Sequence, residues 1–307
     1  MESSYDCIII GAGPAGLTAG IYTARARLKV LLLEKFAPGG QIQVSDLVEN
    51  YPGFPEGISG AELMERMAEQ AKRFELPIES SEVVSVDFSG PLKKIVLPDR
   101  QLTARTIIVA TGAQPRQLGV PGENVFTGKG VSFCATCDGP FYRGKSVAAV
   151  GGGDSAVQES IFLTRFVDRV YVIHRRNELR AARILQERAL ANPKITFVWD
   201  SVVTEIKGDN DVNAVTVKNV KTGEVSDLAV SGCFIWVGTV PNTGFLGDSL
   251  AKNKAGFLIT DQRMQTSVPG VFAAGDVRET VLRQVSTAVG DGAIAAFCAE
   301  QYVEAGK

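Results

Sequence analysis

Two glycine-rich turns, each set between an apolar strand and a helix, constrain this 307-residue chain more than any other feature. The first lies in DCIIIGAGPAGLTAGIYTARARLKVLLLEK, residues 6–35. An apolar run at 7–10 leads into Gly11-Ala12-Gly13-Pro14-Ala15-Gly16, then an Ala- and Leu-rich helical stretch, then a second apolar run at 30–33 that ends on Glu34. Each part has a task in a dinucleotide site. Gly11 permits the tight turn, Gly13 lets the backbone approach a pyrophosphate, and Gly16 lets helix and strand pack closely. The helix start turns free N–H groups and the positive end of its dipole toward phosphate. Glu34 is placed to accept hydrogen bonds from ribose hydroxyls.

Residues 146–176 repeat the plan: a strand run at 146–150, Gly151-Gly152-Gly153-Asp154-Ser155-Ala156, an amphipathic helix, and a strand run at 169–174. At the offset where the first finger carries Glu34, the second carries His174, followed by Arg175, Arg176 and, a little further on, Arg180. A carboxylate there repels a 2′-phosphate, whereas guanidinium groups bind phosphate oxygens through a bidentate fork. The second finger, with Gly151, Gly153, Ser155 and Ala156 as its phosphate turn, reads as an NADP(H) site. The first reads as an adenine-dinucleotide site without that phosphate. One such pattern alone is also what a Gly-rich turn in an ordinary α/β domain looks like. Two with opposite charge at one offset are far more specific.

Composition removes other classes. Lys and Arg number 32 against 34 Asp and Glu, a net charge of −2, so the charge points to no nucleic acid or other polyanion. Hydrophobic residues at 45% and charged ones at 21% suit a large core, organised at this length as one domain or two. The single histidine, His174, leaves no multi-His metal site. No stretch approaches the ~20 apolar residues of a membrane span. Residues 1–5 are too short and polar for a signal peptide, so a cytoplasmic, metal-free protein without a membrane partner is expected.

Five cysteines, Cys7, Cys134, Cys137, Cys233 and Cys298, are an odd set that argues against a disulfide-stapled secreted fold. The spacing in Cys134-Ala135-Thr136-Cys137-Asp138-Gly139 admits a small redox disulfide, half of a metal site, or two unrelated core thiols. Zinc needs two further ligands, and the other cysteines sit in apolar runs like small buried hydrophobes. A redox disulfide fits better in a reduced compartment. Asp138 can give and take the proton that thiol–disulfide exchange moves, and it equally suits a helix cap or turn before Gly139.

With these segments in order, the chain resembles the bacterial-type, low-molecular-weight thioredoxin reductases over essentially its whole length. The resemblance is carried by GAGPAG (11–16), GGQ (39–41), ENYPG (49–53), ATGA (110–113), CATCDG (134–139), GGGDSA (151–156), HRRNELRA (174–181), GTVPNT (238–243), AAGD (273–276) and RQ (283–284). It implies an α/β chain of two doubly wound dinucleotide-binding domains, the NADPH domain inserted into a discontinuous FAD domain. Residues 1–115 and 246–307 would bind FAD, and 116–245 would bind NADPH and carry the cysteine pair. It further implies that Asp276, beside Gly275, bonds the ribitol of FAD, that Asn50, Arg283 and Gln284 line the flavin, and that Gly40, Gln41, Ala110, Thr111 and Gly112 lie near the cofactor.

The implied reaction passes electrons from NADPH through FAD and a Cys134–Cys137 disulfide to oxidised thioredoxin or a thioredoxin-like protein. Cys137 would face the flavin, Cys134 would attack the substrate disulfide, and Asp138 would serve as acid and base. A homodimer is implied too. Because the cysteine pair shares the inserted domain with the nicotinamide site, both must reach one flavin. The Gly- and Pro-containing linkers near 113–121 and 238–245 suit a hinge for that exchange. Two other readings are compatible with parts of the pattern: a related flavoprotein dithiol reductase or oxidase with another electron partner, and a redox-sensing nucleotide-binding module that cycles without turnover.

Overall fold

A computed structural model describes residues 4–45 and 47–306. The chain divides into two units, Met1–Gln114 with Val240–Lys307, and Pro115–Thr239. The first unit begins with β1 (Ser4–Ile10), α1 (Pro14–Arg25), β2 (Val30–Glu34), α2 (Gly60–Arg73), β3 (Ile78–Ser80), β4 (Ser85–Asp87), β5 (Lys93–Val96) and β6 (Gln101–Val109), and leaves through β7 (Ala113–Pro115). The second unit holds α3 (Glu123–Phe126), β8 (Val131–Ser132), α4 (Ala135–Asp138), β9 (Ser146–Gly151), α5 (Asp154–Leu163), β10 (Arg169–Ile173), α6 (Arg183–Leu190), β11 (Ile195–Val198), β12 (Ser201–Gly208), β13 (Val212–Asn219), β14 (Val225–Ala229) and β15 (Gly232–Trp236). The chain returns through β16 (Thr239–Pro241), which pairs with β7, and ends with β17 (Val271–Ala273) and α7 (Val285–Ala305).

In the first unit the sheet order is β3-β2-β1-β6-β5-β4, with β17 also on β6. The unbroken apolar runs of β1 and β2 follow from burial on both faces. Cys7, Ile9 and Leu32 join the core that holds residues of α1, α2 and α7, while Ile8, Ile10, Leu31 and Leu33 join the opposite one with Ile107 and Val109. Strand β6 is shared along its length: Lys93 to Val96 pair antiparallel with its first half, and Val271 to Ala273 pair parallel with Ile107 to Val109. This late pairing brings the turn after β17 to the same sheet end as the turn after β1. The Ala274 N–H donates to the Val109 carbonyl (3.0 Å), and the Ala110 N–H to that of Ile10 (2.8 Å).

The second unit has a parallel sheet in the order β11-β10-β9-β15-β8 and a separate antiparallel sheet β12-β13-β14. Its central strands are again buried on both faces, with Val147, Ala149 and Phe234 in one core and Ala148, Val150 and Ile235 in the other. Residues 240–245, expected in the inserted segment, belong with the first unit. The cause is Asn242: its N–H donates to the Gly112 carbonyl (3.0 Å), its Nδ2 to the Thr111 carbonyl (2.9 Å), and Thr111 Oγ1 donates back to its carbonyl (2.8 Å).

Candidate active site

The first glycine turn is fixed by close approach. Gly11 adopts φ +102° and its N–H donates to the Leu33 carbonyl (2.8 Å). A Cβ on Gly16 would stand 1.8 Å from the Gly11 carbonyl oxygen, so helix α1 can leave this turn only from a glycine. Gly16→Ala is therefore expected to destabilise the first unit by about 1–3 kcal/mol or more through overpacking. Thermal melting checks this, and unchanged melting would contradict it.

Gly13, by contrast, has nothing within 4 Å of where a Cβ would be. No side chain caps α1, which leaves its first N–H groups and positive dipole end without a side-chain partner. Glu34 braces this turn: one carboxylate oxygen accepts the Ala12 N–H (2.7 Å) and the other the Phe36 N–H (3.2 Å). A carboxylate has about four acceptor sites, so capacity remains for a diol. Gly39 donates to the Ala12 carbonyl (2.8 Å) and Gly40 packs toward Gly13, while Gln41 is exposed on the 3-10 turn Gly40–Val44.

The second half of this site comes from the end of the chain. Gly275, at φ +73°, donates its N–H to Asp291 Oδ2 (3.2 Å), which also pairs with Arg278 (3.0 Å). Burial, with the Asp291 charge beside it and Arg283 partly offsetting, pushes the Asp276 carboxyl up. Among the described residues nothing hydrogen-bonds that carboxylate. Arg283 lays its guanidinium 4.0 Å from the Phe257 ring centre, and its Nε is buried without a partner. Asn50 Nδ2 donates to Gln284 Oε1 (2.9 Å), and Gln284 and Thr287 form a capping box at the start of α7. Ala110, Thr111 and Gly112 are held by Ile10 and Asn242 as described above. Partnerless polar groups beside an open phosphate turn fit an extended dinucleotide with a hydroxyl-bearing chain.

The cysteine pair belongs to the second unit. Cys134 and Cys137 form a disulfide with Cα atoms 5.4 Å apart. Cys134 caps the single-turn helix α4, and the Cys137 N–H donates to Cys134 Sγ (3.1 Å). Ser132 Oγ accepts the Cys134 N–H (3.0 Å), and Trp236 Nε1 donates to the Phe133 carbonyl (3.2 Å), so the strand before the pair is fixed from two sides. Asp138 ends α4, and after burial its charge is the next cause pushing the Tyr142 hydroxyl up. Cys7 and Cys233 are buried and pushed up to about 12, and burial raises Cys298 as well. Those thiols are protonated and poorly reactive at neutral pH.

At the second glycine turn, Gly151 has φ +148° and Gly153 has open space where a Cβ would be. Helix α5 carries no side-chain cap, with Ser155 exposed and Ala156 buried in its first turn. Arg175, Arg176 and Arg180 are exposed, and among the described residues no carboxylate pairs with them. His174 differs from them. It is buried with its ring against Gly152, and its Nε2 has no partner. An open phosphate turn with three unpaired guanidinium groups fits a phosphorylated dinucleotide. Sequence reasoning missed Asn242, Asp291 and Trp236. Only Asn242 had a signal, in the PNT segment.

Comparison with known proteins agrees with this geometry. A family model described as pyridine nucleotide-disulphide oxidoreductase matches residues 5–292. A thioredoxin reductase of Peptoclostridium acidaminophilum is 47% identical over 311 residues, covering 99% of each chain. Among solved structures, the thioredoxin reductase of Lactococcus lactis matches with TM-score 0.96 at 48% identity, covering 98% of this chain and 99% of that one. That of Streptococcus pyogenes matches with TM-score 0.67 at 49% identity, covering 99% and 100%. The chain belongs to the pyridine nucleotide-disulphide oxidoreductases, and within them to the thioredoxin reductases.

Proposed function

We propose that the chain is an NADPH-dependent thioredoxin-disulfide reductase, a flavoprotein whose first unit holds FAD and whose second holds NADPH. The observation that carries this reading is a Cys134–Cys137 disulfide in the same unit as a glycine turn flanked by unpaired arginines. Bound FAD and NADPH supply two-electron hydride chemistry, which side chains lack. Gly11, Gly13 and Gly16 with the start of α1 hold the FAD pyrophosphate, Glu34 the adenosine ribose, and Asp276 the ribitol. Gly40, Gln41, Asn50, the Ala110–Thr111–Gly112 turn, Gly275, Arg283 and Gln284 line the remainder. In the second unit Gly151, Gly153, Ser155 and Ala156 hold the NADPH pyrophosphate. Arg175, Arg176 and Arg180 take the 2′-phosphate, and His174 supports the turn from beneath.

The disulfide gains two electrons and two protons to become a dithiol. Cys134 then attacks the thioredoxin disulfide, a mixed disulfide forms, and Cys137 resolves it. Two protons pass to thioredoxin and the Cys134–Cys137 bond re-forms. Asp138 moves the protons, and Cys137 is the member that faces the flavin. The protein acts as a homodimer in the cytoplasm, where Cys7, Cys233 and Cys298 stay reduced. Among the described residues no helix is long and apolar enough to cross a membrane.

Both the nicotinamide site and the cysteine pair serve one flavin by rotation of the second unit about the segments near 113–121 and 238–245. Cross-linking the two units in one arrangement is expected to abolish turnover while one half-reaction survives, followed by stopped-flow absorbance of the flavin. Survival of both half-reactions would contradict rotation. The activity itself is tested by NADPH oxidation with oxidised thioredoxin against thioredoxin stripped of its cysteine pair. Equal rates would contradict it.

A further inference from the structure

We infer that Asp154 is a specificity-determining positioning residue: it locks the arginine-bearing segment 174–182 onto the phosphate-binding turn, and so sets the preference for a 2′-phosphorylated nucleotide over an unphosphorylated one. The inference rests on the second finger being the NADPH site.

A carboxylate as the first residue of α5 suits the helix dipole, yet in a pyrophosphate-binding turn it repels the ligand unless its oxygens are engaged elsewhere. They are engaged. Asp154 Oδ1 accepts the backbone N–H of Ala182 at 2.7 Å, a charge-assisted bond across 28 residues of sequence. Two further links join the same parts. The Arg180 N–H donates to the Gly152 carbonyl (2.7 Å). At the other end of the segment, a Cβ on Gly152 would stand 2.4 Å from the His174 ring, so only a glycine lets this ring lie beneath the turn. Burial and then the Arg180 charge hold His174 below its ordinary range, and a bond to the Glu178 backbone orients it. It is a neutral support.

The segment therefore leaves the turn at His174 and is fastened back to it at Arg180 and Ala182. Arg175, Arg176 and Arg180 lie on this tied loop with no carboxylate partner among the described residues. Releasing the Ala182 end leaves the loop to be ordered at the moment of binding, and that cost falls on the ligand that needs the arginines. Pyrophosphate contacts are common to both nucleotides. Any gain from removing the Asp154 charge is shared by both and cancels in their ratio.

The test uses the flavin-loaded protein with Asp154→Ala, Asp154→Asn and Ala182→Pro. Ala182 already has φ −55°, inside the proline range, so the last variant deletes the N–H donor at an accommodating position. The ratio of kcat/KM for NADPH to that for NADH is expected to fall about tenfold in Asp154→Ala, the scale of one hydrogen bond, through KM rather than kcat. Asp154→Asn keeps an acceptor and is expected to stay within about twofold of the parent. Ala182→Pro is expected to match Asp154→Ala, with no further loss when the two are combined. Calorimetric titration with adenosine 2′,5′-bisphosphate against AMP is expected to show the same pattern without turnover. An unchanged ratio in Asp154→Ala, or equal effects of Ala and Asn, would overturn the inference. Arg176→Ala separates the levels. If it lowers the ratio while Asp154→Ala does not, only this inference fails; if it too leaves the ratio unchanged, the NADPH-site reading fails and takes the inference with it.

Discussion

Cys137→Ser is expected to stop electron transfer to thioredoxin while leaving bleaching of the flavin by NADPH intact. A serine cannot take part in the disulfide that accepts the electron pair, so the chain of transfer ends one step short. Cys134→Ser is expected to do the same, because it too leaves the pair unable to form a disulfide. The other three cysteines give the contrast. With Cys7 and Cys233 held at about 12 by burial, the thiolate fraction at neutral pH is negligible, and Cys298 is raised in the same direction. Their replacement by alanine or serine leaves no gap in the route. Stopped-flow absorbance of the flavin, read beside the appearance of thioredoxin thiols, separates the two half-reactions. Wild-type thioredoxin reduction by Cys137→Ser would mean that electrons travel another way.

Arg176→Ala is expected to weaken NADPH binding by about 1.5–3 kcal/mol, the range for hydrogen bonds to a charged group, or roughly 10–150-fold in affinity. Arg175→Ala is expected to fall in the same range. NADH turnover should barely move, since that nucleotide has no 2′-phosphate for the guanidinium to bind. The arginines are exposed and free of carboxylate partners among the described residues, so little is lost elsewhere when one is removed. Affinity measured by titration, with KM for both nucleotides, gives the result. Equal losses for NADPH and NADH would sink the assignment of these residues to the 2′-phosphate.

What could be read from sequence was local. The turn at 11–16 needs its glycines for reasons confined to one strand and one helix, and the 1.8 Å approach at Gly16 is that local crowding made visible. The same holds for the pair at 134 and 137, whose spacing allows a one-turn helix to bring the sulfurs together. The two nucleotide folds followed because strand, turn, helix and strand lie consecutively in each. Long-range pairing was not legible from such patterns. Asp276 joins the first glycine turn only because β17 adds to the far half of β6, and the resemblance, not any local period, anticipated it. Asn242 shifts the second boundary through bonds to Thr111, 131 residues away, and to its neighbour Gly112. In sequence His174 heads a basic run, and its burial beneath Gly152 depends on packing between two loops. Asp154 looked like one more member of a glycine motif. Its partner is a backbone N–H, which no side-chain pattern announces.

Electrons leave NADPH and reach a disulfide protein through this chain. The most direct measurement adds NADPH and a disulfide dye to the purified yellow protein, first alone and then with oxidised thioredoxin. Rapid dye reduction is expected only when thioredoxin is present, and none with the Cys137→Ser protein. Bleaching of the flavin by NADPH with no onward transfer to thioredoxin would contradict it and favour a redox sensor.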